Sequence, residues 1–231
     1  MSQEVLLERL TRREFRERLQ RGELQAAIIA TGSIEQHLEH LPFAHDTLSA
    51  AWVAEQVARQ LFPKVIVTVP VSIGISEHWM WAPGTLTAKP GSWLAVLFDA
   101  AESLMRHGLR KVLILNGHAG NVAPVQGVLR QWQLYFARQF PESNLQFASY
   151  WDFIPSDLPR RCWRRNGCRG TPKSLRPLSP CMPSPNSCAK VLSPIKTTPN
   201  LPKRRRKRGG NWRKSPSQGS SLSCKGCWMA Q

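Results

Sequence analysis

The chain has 231 residues, enough for one well-covered domain with an appendage, and a formal charge of +17. All 15 acidic residues precede Pro159, whereas residues 159–231 hold 18 of the 32 Lys and Arg, so residues 1–158 carry 14 basic against 15 acidic groups, a net of −1. The charge that invites a nucleic-acid reading thus belongs to the tail alone. The same boundary separates the six histidines, all before it, from the six cysteines, all after it. No apolar run approaches the roughly 20 residues of a membrane span, and the start has no secretory h-region, so the expectation is a soluble, cytoplasmic body.

In chain order, EVLLERLTRREFRERL places Val5, Leu6, Leu10, Phe15 and Leu19 at helical spacing, which predicts a helix over 3–20 closed by Gly22. LQAAIIATG (24–32) reads as a buried strand. Residues 47–61 read as a helix, KVIVTVPVS (64–72) as a β-branched strand and 91–107 as a helix. KVLILNG (111–117) is a strand running into a polar turn, followed by a helix near 121–138 and a strand at 145–151. Alternating strands and helices predict a three-layer α/β/α sandwich with a mainly parallel sheet, its C-terminal part incomplete.

In such sheets, sites form where the chain leaves the carboxyl ends of the strands. The polar clusters fall there: 33–46 after the first strand, 72–87 after the second and 116–121 after the third. GSIEQHLEHLPFAHD (32–46) holds three of the six histidines, His37, His40 and His45. Imidazole and carboxylate are the donors that divalent transition metals take in hydrolytic sites. Glu35 and His37, two residues apart, can point the same way from an extended segment. Asp46 opens the next helix and has two readings, a donor or a helix cap. His118 in NGHAGN stands between Gly117 and Gly120, which permit close backbone approach. His107, in RHG at a helix end, reads as a cap or surface group.

GSIEQHLEHLPFAHD, GISEHWMWAPGTLT (74–87) and LILNGHAGN (113–121), in this order and spacing, resemble the creatininase family of metal-dependent amidohydrolases, and SYWDF (149–153) resembles its segment of active-site aromatics. The resemblance covers about residues 4–155. It implies an α/β domain of a kind often assembled as a homohexamer, a Zn or Mn centre (Fe being a third candidate) of one or two ions, and a small amide substrate, expected to be cyclic. It makes Glu35, His37, Asp46 and His118 the metal ligands, with Asp46 bridging. His78 becomes a substrate-facing or proton-transferring residue, and Trp151 a cover over the substrate. Bound metal would acidify water and polarise the amide carbonyl for attack. Two departures stand out. Leu38 and Glu39 replace the Gly-Pro that family members often carry, and Gly120 stands where creatininases place an acid ligand of a second metal.

Residues 159–231 admit three readings. KRRRKR (203–208) suits an arm that binds nucleic acid or acidic surfaces, which on an inactive α/β body is the alternative to an enzyme. Cys224 and Cys227 in CKGC have the spacing of half a zinc site. The third reading is a shifted frame. When the last base of each codon is joined to the first two of the next, residues 162–180 permit LAEKWVPGHAKEFETSFA. GHA followed by ETS is the next motif the resemblance implies, a source of an acid and a histidine that help complete the site. The expectation adopted is a frameshift near 156–161, a creatininase-like domain over 1–158 and a disordered, out-of-frame tail over 159–231, with impaired activity.

Overall fold

The computed structural model describes residues 3–154. Four parallel strands form the sheet: β1 (Ala26–Thr31), β2 (Val65–Val67), β3 (Lys111–Asn116) and β4 (Asn144–Ser149), in the order β2-β1-β3-β4. The helices between them are α1 (Arg12–Gln20), α2 (His45–Gln60), α3 (Pro90–Arg106) and α4 (Val122–Gln139).

The strand pattern divides the core. Ala26, Ile28 and Ala30 of β1, with Leu113 and Leu115 of β3, face Ala50, Val53, Ala54 and Val57 of α2. The alternate residues Ala27, Ile29, Val112 and Ile114 face Trp93, Leu97 and Ala101 of α3 and Val125 and Phe136 of α4; Phe15 and Leu19 of α1 pack on the same side. A period of two on the strands and 3.6 on the helices therefore yields three layers, as the sequence predicts. Because β2 and β3 flank β1 on opposite sides, the connections leaving β1 and β3 part at their carboxyl ends, which opens a crevice there.

Two elements differ from expectation. The predicted helix over 3–20 begins only at Arg12, because Thr11 caps it and Leu6 bridges to Val67 beside β2. Val67 N–H donates to the Val5 carbonyl at 2.8 Å, so the first residues extend the sheet edge. The predicted strand over 64–72 is regular only over Val65–Val67. Pro70 lacks an N–H, yet the chain stays on β1, with Thr68 N–H donating to Ile28 O and Val71 N–H to Ala30 O. No helix among the described residues is long and apolar enough to cross a membrane. The readings of 159–231 lie outside the described residues.

Candidate metal centre

Two glycines set the first turn of α2 against the sheet. A Cβ on Gly32, just beyond β1, would run into the backbone of Thr47, and one on Gly117, just beyond β3, into the Asp46 carbonyl. The helix start therefore sits directly on both strand ends, and Thr47 Oγ1 donates to the Ser33 and Ser72 carbonyls at 3.2 and 3.3 Å. This places Asp46 in the crevice. Ala44 is the residue preceding the helix, and the Asp46 side chain turns to two histidines instead of capping it.

The buried carboxylates of Glu35 and Asp46 meet imidazoles. Asp46 Oδ1 lies 3.0 Å from His37 Nε2, and Oδ2 lies 2.8 Å from His118 Nδ1. Glu35 Oε2 is 3.4 Å from His118 Nδ1 and accepts from Ser76 Oγ at 3.0 Å. The far nitrogens of both histidines face backbone carbonyls, His37 Nδ1 at 3.0 Å from Glu35 O and His118 Nε2 at 3.0 Å from Ile75 O. A carbonyl oxygen only accepts, so those nitrogens carry the hydrogens, and each ring turns its other nitrogen to Asp46. Burying each carboxylate costs several kcal/mol. A positive charge between them, a second ring proton on the imidazoles or a metal ion, offsets that cost. The donors are those of a metal site, with the outer ring N–H anchored to backbone as metal-binding histidines require. Glu35, His37 and Asp46 bring their donor atoms within 4.8 Å of one another, as do Glu35, His78 and His118.

The structure thus gathers Glu35, His37, Asp46, His118 and His78. His40 and His107 are exposed and stand apart from these groups, His107 as the residue that ends α3. Trp151 follows β4 at the same end of the sheet, but its ring packs edge-on to Tyr150 at 5.2 Å and against the core. His78 is followed by an aromatic run, with Trp79 5.7 Å from the His78 ring and 5.6 Å from that of Trp81.

Four polar residues escaped sequence reasoning. Asn121 Nδ2 donates to Gly32 O at 2.9 Å while its Oδ1 accepts from Ile75 N–H at 3.0 Å, which ties the first and second loops to the third. Asn116 holds the His118 backbone through both its side-chain atoms and reaches Ser149 Oγ at 3.1 Å. Ser33 and Ser76 form a short hydroxyl pair beside Glu35. The signal for the asparagines was present in NGHAGN, where both flank the histidine.

Comparison with known proteins finds relatives in sequence and in fold. Creatinine amidohydrolase of Pseudomonas putida is 27% identical over 164 residues, covering 67% of this chain and 60% of its own length. Mycofactocin precursor peptide peptidase of Mycobacterium ulcerans (strain Agy99) is 33% identical over 112 residues, covering 45% of this chain and 44% of its own. The chain thus spans 60% or less of these curated relatives. A solved structure described as "Creatininase Mn" superposes with a TM-score of 0.63 at 22% identity, over 70% of this chain and 65% of that one. The creatininase profile, creatinine amidohydrolase, matches residues 8–164, a span that contains every donor of the candidate centre, and the chain belongs to the creatininase family.

Proposed function

We propose that the protein is a metal-dependent hydrolase of a carbon–nitrogen amide bond. The observation that carries this reading is the pair His37 and His118, each with one ring nitrogen on a backbone carbonyl and the other turned to Asp46. Glu35, His37, Asp46 and His118 would hold the ion, and their mix of imidazole and carboxylate suits Zn or Mn. A bound ion there supplies Lewis acidity toward an amide carbonyl and toward water. The backbone carbonyls of Glu35 and Ile75 fix both rings, so the donors need little rearrangement on binding. Asn121 and Asn116 hold the three loops in register, and the Trp79 and Trp81 rings, tilted 55° to one another, stand beside His78 as an apolar rim. The substrate class this reading names is a small amide, a cyclic one foremost. The relatives are named for creatinine and for a peptide precursor, and both names imply an amide bond.

The test is metal content with hydrolysis. Purified without chelator, the protein should retain a divalent ion and open a cyclic amide or cleave a short peptide. His118→Ala should weaken retention by on the order of 100-fold and abolish hydrolysis. His107→Ala should match the wild type. Equal metal loss in both variants, or a wild type that binds no ion, overturns the reading.

A further inference from the structure

The ring of His37 is fixed by the carbonyl of Glu35, two residues away, whereas that of His118 is fixed by the carbonyl of Ile75, 43 residues away in the second loop. A neutral imidazole can carry its hydrogen on either nitrogen, and a hydrogen on Nδ1 would block the atom that faces Asp46 and an ion. The value of His118 as a donor therefore depends on what aims the Ile75 carbonyl. We propose that Thr87 and Asn121 are positioning residues: they hold the two peptide groups of Ile75, keep the His118 hydrogen on Nε2 and so present Nδ1 to a metal ion. The inference rests on the metal-hydrolase reading and deepens it.

Each side of Ile75 has one anchor. Its own N–H donates to Asn121 Oδ1 at 3.0 Å, and the next N–H, of Ser76, donates to Thr87 Oγ1 at 2.9 Å. The N–H and C=O of a trans peptide point opposite ways, so Thr87, by drawing the Ser76 N–H toward itself, directs the Ile75 carbonyl at His118. Both anchors are held in turn. On either side of Thr87, Leu86 N–H donates to Ile34 O and Ala88 N–H to Gly74 O, each at 2.8 Å. Asn121 is buried and donates to Gly32 O at 2.9 Å. Two glycines let these parts close up. A Cβ on Gly74 would run into Gly32 O and the Asn121 side chain, and one on Gly120 into the Ile75 carbonyl and the His118 ring.

The neighbouring hydroxyls require the same hydrogen. Ser76 Oγ donates its single hydrogen to Glu35 Oε2 at 3.0 Å and lies 3.3 Å from His118 Nε2. It can then only accept from that nitrogen, as it accepts from Ser33 in the short hydroxyl pair. Nε2 thus faces two acceptors.

The test uses the full chain. Thr87→Val keeps the shape of the side chain and removes the acceptor, and Thr87→Ser restores it. In the metal-free wild type, nitrogen-15 spectra of labelled histidine, with His118 assigned by its loss in His118→Gln, should show a hydrogen on Nε2 that exchanges slowly with solvent. Thr87→Val should speed that exchange or move the hydrogen to Nδ1, and should weaken Mn(II) binding by about 10–100-fold while the cooperative melt is retained. Mn(II) is the probe because the thiolates of the six tail cysteines favour softer ions. Thr87→Ser should recover both readouts, and Asn121→Ala, which releases the other side of Ile75, should move both in the direction of Thr87→Val. Unchanged exchange and unchanged Mn(II) affinity in Thr87→Val and Asn121→Ala overturn the inference, as does a Thr87→Ser that behaves like Thr87→Val. A wild type that binds no Mn(II) overturns the hydrolase reading, while the histidine spectra still decide what Thr87 and Asn121 do to His118.

Discussion

At Leu38 the backbone turns left-handed, with φ at 60°, between buried His37 and exposed Glu39. This is where the resemblance sets a glycine, and the turn explains why: a side chain at such a φ costs about 1–2 kcal/mol. The Leu38 side chain is 73% exposed and contributes little packing in return. Leu38→Gly should therefore stabilise the protein by about 0.5–1 kcal/mol after the added chain entropy of glycine, a rise of a few degrees in Tm, with ion binding unchanged. Thermal melts of the two proteins decide it, and a lower Tm in the variant refutes it. Among single residues, the candidate donors that the structure brings together were legible because their side-chain chemistry is narrow and the motifs keep them in order. Asn116, Asn121, Ser33 and Ser76 were not. An asparagine in a glycine-rich turn reads as a turn former, and the bonds of Asn121 to Gly32 and Ile75 exist only once three distant loops meet.

The helices and strands show where local signals win and where they lose. Apolar periodicity located β1, β3, α3 and α4 to within about two residues, since each has a face that must be buried. It overran at the start of α1, where a long amphipathic pattern crosses Thr11. There the Thr11 side chain accepts from Glu14 N–H at 3.3 Å and the Glu14 carboxylate accepts from Thr11 N–H at 2.8 Å, a reciprocal cap that fixes the first turn. Thr11→Ala should cost about 1 kcal/mol in urea unfolding at pH 7. The cap also has a pH signature. The Thr11 backbone N–H, and then its hydroxyl, hold the Glu14 carboxyl below its ordinary value of 4.5. A depressed folded-state pKa stabilises above the unfolded pKa and loses that stabilisation as pH falls through the folded value. The stability gap between wild type and Glu14→Gln should thus be full at pH 7 and shrink below about 4.5. A gap that stays constant down to pH 3 would mean that the carboxylate contributes nothing as an ion.

Across the whole molecule, two kinds of polypeptide meet near residue 159. The family profile ends at residue 164, seven residues after the last acidic residue, Asp157, and two after the first cysteine, Cys162. Among the described residues β4 pairs only with β3, so one side of this apolar-cored sheet is left as an edge of free N–H and C=O groups. A segment able to cover that edge is what the shifted frame of 162–180 would encode, with the helix-forming AEAATEKGRQLAEK permitted further on from 201–215. The fold was readable up to β4 because each element announces its own burial. The tail offers no such signal, since a basic, proline-rich string has no period to interpret, and the frameshift reading rests on the genetic code alone. The prediction is specific to bases. The codon of Gly170 should end in C, so that its last base and the AC of Thr171 spell the histidine codon CAC. Lys173 should be AAG followed by an AGT or AGC codon for Ser174, which spells glutamate. A single-base change near codons 156–161 that restores this frame should raise thermal stability and amide hydrolysis together, because one segment would both cover the β4 edge and return an acid and a histidine able to carry protons. Resequencing the gene is the first measurement. Codons that spell unrelated residues or early stops in that frame would end the frameshift reading and leave KRRRKR as a genuine basic arm, to be tested for salt-dependent binding to duplex DNA.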